Sequence, residues 1–166
     1  RLVDALTKLP EGYPIFTNRG ASGIDGLLAT AAGIGIGSNQ PVVAMIGDTS
    51  TLYDLNSLAL FKNVTQPTII FVINNNGGAI FDMLPVDEEV KEQFYRLPHN
   101  GDFSQIANMF GLKYALPYTL ADLSAVLKQA YTRRRATLIE IKTNPSDGSV
   151  TYKRLIDQIS HAVIGE

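Results

Sequence analysis

Two short polar segments follow the two most apolar stretches of this 166-residue sequence, and both carry groups suited to a charged oxygen ligand. Gly47-Asp48-Thr49-Ser50 comes directly after residues 41–46 (PVVAMI), and Asn74-Asn75-Asn76-Gly77-Gly78 directly after residues 68–73 (TIIFVI). One carboxylate, several amide oxygens and flexible backbone carbonyls form a hard-oxygen set, suited to Mg²⁺ or Ca²⁺. Thr49 and Ser50 offer hydroxyls and backbone N–H groups at the start of a helix, which favours phosphate. Taken singly these residues have ordinary roles: Asp48 or Thr49 would cap the helix, and Asn-Gly repeats would form turns. Taken together, 27 positions apart from Asp48 to Asn75 and each after a buried strand, they favour a site.

That argument needs the strands to be neighbours, because parallel sheets bind ligands beyond the carboxyl ends of their strands. The rest of the chain predicts such a sheet. Leu2, Val3, Leu6 and Leu9 have helical spacing, stopped by Pro10-Glu11-Gly12. Residues 14–17 predict a short buried strand, and the glycine-rich run 23–36 a tightly packed helix. Leu52, Leu55, Leu58, Ala59 and Leu60 predict a buried helix. After residue 78 comes a non-periodic stretch to about Asp102 that includes the acidic cluster Asp87-Glu88-Glu89. A segment so long and irregular inside a domain is usually functional or mobile. Residues 103–110 predict a helix, 113–115 a strand, 120–131 a helix, 137–141 (TLIEI) a strand, and 152–163 an amphipathic helix. Alternating strands and helices predict an α/β fold, and strands this apolar must be covered on both faces.

Composition removes several classes of function. The net charge is −2 and the pI about 5.7, which argues against an electrostatic nucleic-acid binder. The basic run Arg133-Arg134-Arg135 is expected to be a solvated loop. There is no Cys, which excludes disulfides, thiolate metal sites and Cys nucleophiles, and fits a cytoplasmic protein. No apolar run reaches the roughly 18 residues of a membrane span. Gly33-Ile34-Gly35-Ile36-Gly37 lacks dinucleotide-loop spacing, and Gly20-Ala21-Ser22-Gly23 is not a nucleophile elbow. His99 and His161 show no partners for a triad or zinc site, and are expected to be exposed or structural. The chain opens on Arg1 rather than Met, and a longer parent is expected.

Gly47-Asp48 and, a little under thirty residues on, Asn74-Asn75 together resemble the diphosphate-binding signature of thiamine-diphosphate (ThDP) enzymes. Asn18-Arg19-Gly20-Ala21-Ser22-Gly23-Ile24-Asp25-Gly26, Tyr53-Asp54-Leu55-Asn56, and the run from Asn74 to Phe81 narrow the resemblance. They are similar to the MenD family, the carboligases of menaquinone biosynthesis. The resemblance covers nearly the whole chain, and only the family's C-terminal, diphosphate-binding third. It implies one domain over residues 1–166, with three α/β/α layers around a mostly parallel six-stranded sheet.

The resemblance also assigns roles. Asp48, the Asn75 side chain and the Gly77 carbonyl would hold Mg²⁺, with Mn²⁺ as a substitute, and Gly47, Thr49, Ser50, Ser22 and Ile24 would contact ThDP. Arg19 and Arg1 would bind the carboxylates of 2-oxoglutarate and isochorismate, and Ile80, Phe81 and Leu84 would form an apolar wall over the reacting centre. The ordinary alternatives are a surface ion pair for Arg19 and for Arg1, helix packing for Ile24, and a loop core for the three apolar residues. Thr49 stands where the wider family often has Gly. The implied activity is that of a transferase: decarboxylation of 2-oxoglutarate and addition of the succinic semialdehyde unit to isochorismate. The glutamate that activates the cofactor has no counterpart here. It would come from the pyrimidine-binding domain of a partner subunit, so the intact protein is expected to be a homodimer or homotetramer and this chain alone inactive. The alternatives are another ThDP-dependent decarboxylase or carboligase, or a non-catalytic α/β ligand-binding domain.

Overall fold

The computed structural model describes residues 7–8, 11–18 and 23–164. In chain order the elements are helix α1 (Leu27–Ser38), strand β1 (Val42–Gly47), helix α2 (Asp48–Tyr53), a 3₁₀ helix (Leu55–Asn63) and strand β2 (Thr68–Asn74). A 3₁₀ turn (Ala79–Met83), α3 (Glu88–Lys91), a π-helical turn (Glu92–Arg96) and α4 (Phe103–Met109) follow. The chain then forms β3 (Lys113–Ala115), α5 (Leu120–Thr132), β4 (Ala136–Lys142) and α6 (Asp147–Ile164).

The strands form one parallel sheet in the order β1-β2-β4-β3. Side chains alternate across it. Ile70, Val72 and Leu138 face Leu28, Ala32, Leu58, Phe61, Phe103 and Ala107 on one side. Ile69 and Ile139 pack with Ala130, Leu123, Val126 and Leu127 of α5 on the other. Helices lie on both faces of the sheet in the three layers expected, and β2 and β4 are apolar almost throughout because water reaches neither face. Strand β1, expected to be buried, is covered on one face only, with Val43 and Met45 56% and 59% exposed on the other, because it lies at the sheet edge. Toward the carboxyl ends the first face turns polar: Val72 is followed by Asn74 and Leu138 by Glu140, with Val72 opposite Glu140 in register. The face that holds the core thus ends in a polar cluster below the loops that matter for function.

Four strands are found among the described residues, where six were expected. Residues 14–17 make no ladder; Ile15 and Phe16 are 58% and 61% exposed. Apolar composition specifies burial, but a strand also needs a neighbour for its backbone groups, and Pro14 lacks one donor. The predicted helix at residues 2–9 lies mostly outside the described residues. The glycine-rich helix begins at Leu27 rather than residue 23, because Gly26 adopts a left-handed φ of 73° just before it.

The helix predicted over residues 52–60 is split at Asp54. The Asp54 carboxylate accepts hydrogen bonds from Leu28 N (2.7 Å) and Ala29 N (3.1 Å), and from Ser57 Oγ (2.5 Å). It satisfies the first free N–H groups of α1 from another element and places negative charge at the positive end of that helix. Asp54→Ala is expected to lower stability by about 1–2 kcal/mol, with partial recovery in Asp54→Asn, measured by urea unfolding.

The stretch from 79 to 102 holds short helical turns at 79–83, 88–91 and 92–96, with 84–87 and 97–102 irregular as expected. Arg96 gathers it, pairing with Asp82 (2.7 Å), Glu88 (2.5 Å) and Glu92 (3.2 Å). The Arg133-Arg134-Arg135 run is exposed, as expected.

Candidate cofactor and metal site

The ends of β1 and β2 lie side by side, since Gly47 is opposite Ile73 in register. Asp48, the first residue past β1, is 2% exposed. Its Oδ1 accepts the Thr49 N–H at 2.7 Å, and its Oδ2 accepts the Gly77 N–H at 2.9 Å across the two loops. Asp48 is thus more than a helix cap: one oxygen orders its own turn and the other pins the loop after β2. The Thr49 N–H, expected to serve phosphate, is committed to Asp48. Thr49 and Ser50 are partly buried beside it. A Cβ on Gly47 would meet nothing within 4 Å, which leaves open space against that backbone.

The loop after β2 is laced at Asn74, Asn76, Gly77 and Gly78. Asn76 N donates to Asn74 Oδ1 (2.9 Å). Asn76 and Asn100 exchange two bonds, Asn76 Nδ2 to Asn100 Oδ1 (3.0 Å) and Asn100 N to Asn76 Oδ1 (2.9 Å). Gly78 N donates to Arg96 O (2.7 Å). Asn76 and Gly77 take positive φ values of 63° and 128°, and a Cβ on Gly77 would sit 2.2 Å from Arg96 O. The Asn-Gly run does form a turn, then, and that turn is fastened to Asp48 on one side and to residues 96–100 on the other.

Within it the Asn75 Oδ1 is buried and has no hydrogen-bond partner. A buried acceptor left empty costs about 1–3 kcal/mol, and this one sits in the loop that Asp48 pins through Gly77 N. A divalent cation fits that need. The Gly77 carbonyl accepts Ala79 N (3.0 Å) and keeps a second lone pair. Among the described residues no three His, Asp or Glu side chains cluster as a metal site. A set with a single carboxylate suits Mg²⁺, which relies on ligand phosphates to complete its charge and shell.

His99 corrects the expectation for it. Its side chain is mostly buried, and Nε2 lies 3.0 Å from Asp48 Oδ2. Gly101 N donates to His99 Nδ1 (2.8 Å), so Nδ1 is the unprotonated nitrogen and Nε2–H donates to Asp48 as a neutral ring. The bond spans 51 residues of sequence and had no local signal. His161 is exposed, with Nδ1 2.6 Å from the Asp157 carbonyl.

A second buried residue does have a sequence signal. Glu140 is the one charged residue inside the apolar TLIEI strand, and it is 1% exposed. Its Oε1 accepts Asn74 Nδ2 (2.7 Å) and its Oε2 accepts the Tyr114 hydroxyl (2.5 Å). Burial, then the bond to Glu140, push the Tyr114 hydroxyl well above the usual tyrosine range, so it remains a donor.

Of the other expected site residues, Ile24, Ile80, Phe81 and Leu84 are partly exposed. Phe81 stacks at a tilt on Tyr95, with ring centroids 5.2 Å apart, and α6 packs on the 79–83 turn. Arg1, Arg19 and Ser22 lie outside the described residues. A small pocket of about 190 Å³ opens beside the loop, lined by Asn75, Asn76, Gly78, Ala79, Glu92 and Arg96 among others.

The fold is that of a ThDP-binding domain. The family described as "Thiamine pyrophosphate enzyme, C-terminal TPP binding domain" matches residues 6–141, and the chain belongs to it. Over 165 residues it is 87% identical to the 2-succinyl-5-enolpyruvyl-6-hydroxy-3-cyclohexene-1-carboxylate synthase of Haemophilus influenzae (strain 86-028NP). It is 79% identical to the enzyme of the same name from Mannheimia succiniciproducens. Each alignment covers 99% of this chain and 29% of the relative, so the chain spans under a third of their length. Among solved structures, the thiamine diphosphate-dependent 4-hydroxybenzoylformate decarboxylase of Rhodococcus jostii RHA1 matches with a TM-score of 0.59 at 26% identity. That match covers 71% of this chain and 23% of that one.

Proposed function

We propose that this chain is the diphosphate- and Mg²⁺-binding domain of a cytoplasmic menaquinone-pathway synthase, which decarboxylates 2-oxoglutarate and joins the four-carbon remainder to isochorismate. The observation that carries the metal assignment is the buried, unpartnered Asn75 Oδ1 in a loop pinned to Asp48. Asp48, Asn75 and the Gly77 carbonyl would hold Mg²⁺, and Mn²⁺ would substitute. Gly47, Thr49, Ser50 and Ser22 would line the diphosphate, and Ile24 would lie under the cofactor rings. The cofactor supplies an electron sink for decarboxylation. Ile80, Phe81 and Leu84 would keep water from the reacting centre, and Arg19 and Arg1 would pair with substrate carboxylates through planar forks. The substrate assignment rests on the 87% identity to the H. influenzae enzyme.

The cofactor-activating glutamate would come from a partner subunit's pyrimidine-binding domain, so this chain would supply half of the site in a homo-oligomer. The test is turnover. The full-length protein should form product from 2-oxoglutarate and isochorismate only with ThDP and a divalent cation, and residues 1–166 alone should form none. Product from the isolated chain would refute the half-site. A full-length protein that accepts other 2-oxo acids and not 2-oxoglutarate would refute the substrate assignment.

A further inference from the structure

Glu140 is a carboxylate only 1% exposed on a central strand, at the polar end of a largely apolar face. Packing does not require it. Replacing a buried charge with an apolar group of similar volume is often neutral or stabilising. Lys142 Nζ is 3.9 Å away with its side chain largely exposed, so it neutralises little. What Glu140 does have is two strong acceptor oxygens, each already used, by Asn74 Nδ2 and by the Tyr114 hydroxyl.

The Asn74 bond has a consequence at the other end of that amide. A carboxylate only accepts, so the group facing it must be the Asn74 NH₂. Asn74 Oδ1 is then forced to face the other way, where it accepts Asn76 N at 2.9 Å. A flipped amide would set oxygen against carboxylate and NH₂ against N–H, two repulsive contacts. Holding Asn76 N fixes the turn in which Asn76 and Gly77 take positive φ. Asn75 lies between the two ends of this bridge.

We infer that Glu140 is a positioning residue for the cation loop: it sets the sense of the Asn74 amide, which holds the turn that presents Asn75 Oδ1 and the Gly77 carbonyl. The inference rests on the cation site proposed above. The Tyr114 hydroxyl donates to the other oxygen of Glu140 and so holds the carboxylate from its far side.

The experiment measures Mn²⁺ binding to the full-length protein with ThDP, reading free Mn²⁺ by electron paramagnetic resonance below every unfolding transition. Glu140→Leu should weaken Mn²⁺ by about 10–100-fold, the usual effect of losing a group that orients a metal ligand. Glu140→Gln should stay within about threefold, because its Oε1 can accept Asn74 while its NH₂ donates to the Tyr114 oxygen. A residue that served stability alone would shift unfolding in both variants without this split. Asn74→Ala cuts the same bridge from the loop side, should match Glu140→Leu, and decides the matter if the Leu variant fails to fold. Wild-type affinity in Glu140→Leu or in Asn74→Ala would overturn the inference, and so would equal losses in the Gln and Leu variants. Asp48→Ala is the control for the site itself. If Mn²⁺ still binds there, the site assignment has failed, whatever Glu140 does.

Discussion

Asp48→Ala should abolish the Mg²⁺-dependent stabilisation of the full-length protein by ThDP. Cofactor at about 100 times its Kd adds roughly 2.7 kcal/mol to a protein that binds it only when folded. In the wild type the shift should appear with Mg²⁺ and vanish in EDTA. In Asp48→Ala it should be absent in both. The reason lies in the geometry. Asp48 is the only carboxylate in the proposed ligand set, and its Oδ2 also holds Gly77 N, so its loss removes a ligand and releases the loop that carries the other two. The variant will also start from lower stability, because His99 and Thr49 lose their acceptor. The comparison is therefore the shift on adding ligand, read by calorimetry, and not the absolute Tm. A full ligand shift in Asp48→Ala would place the cation elsewhere.

The largest loss of stability should come from one methyl group. Gly77→Ala puts a Cβ 2.2 Å from Arg96 O and 3.0 Å from Leu97 O, at a φ of 128° that side chains rarely adopt. The neighbour is backbone, held in turn by Gly78 N, so nothing flexible can give way. The strain of the φ alone costs about 1–3 kcal/mol, and the clash adds to it. A total of at least about 3 kcal/mol is expected in urea unfolding, with loss of Mn²⁺ binding. Gly33→Ala is the contrasting control. It lies inside α1 with nothing within 4 Å of its Cβ, and should stabilise by about 0.4–1 kcal/mol. A mild effect of Gly77→Ala would mean that residues 96–97 move freely away from the loop.

Much of this was legible in the sequence because strands as apolar as TIIFVI and TLIEI, buried on both faces, leave few alternatives. PVVAMI, TIIFVI and TLIEI had one consistent place, and the loops after the first two had to meet once their strands were neighbours. Where the reading failed, a contact between distant residues decided the outcome. The break at Asp54 depends on N–H groups of α1 that lie 25 and 26 residues away. The role of His99 depends on a partner 51 positions away, and periodicity has nothing to say about such a pair. Residues 14–17 failed for the opposite reason: their composition suited a strand, but no ladder receives them. Glu140 is different again. A carboxylate in the middle of a buried strand is an anomaly that sequence alone displays, but its partners Asn74 and Tyr114 lie 66 and 26 positions away.

The exchange of two bonds between Asn76 and Asn100 uses neutral amides, whereas Arg96 holds its turns together through Asp82, Glu88 and Glu92. Dissolved ions treat these two fastenings differently. At 1 M salt the screening length is about 3 Å, and the exposed carboxylates of the Arg96 cluster lose most of their hold. Neutral amide bonds have no net charge to screen. The floor of the site should therefore keep its shape in brines that loosen the segment above it, and the two become separable by ionic strength alone.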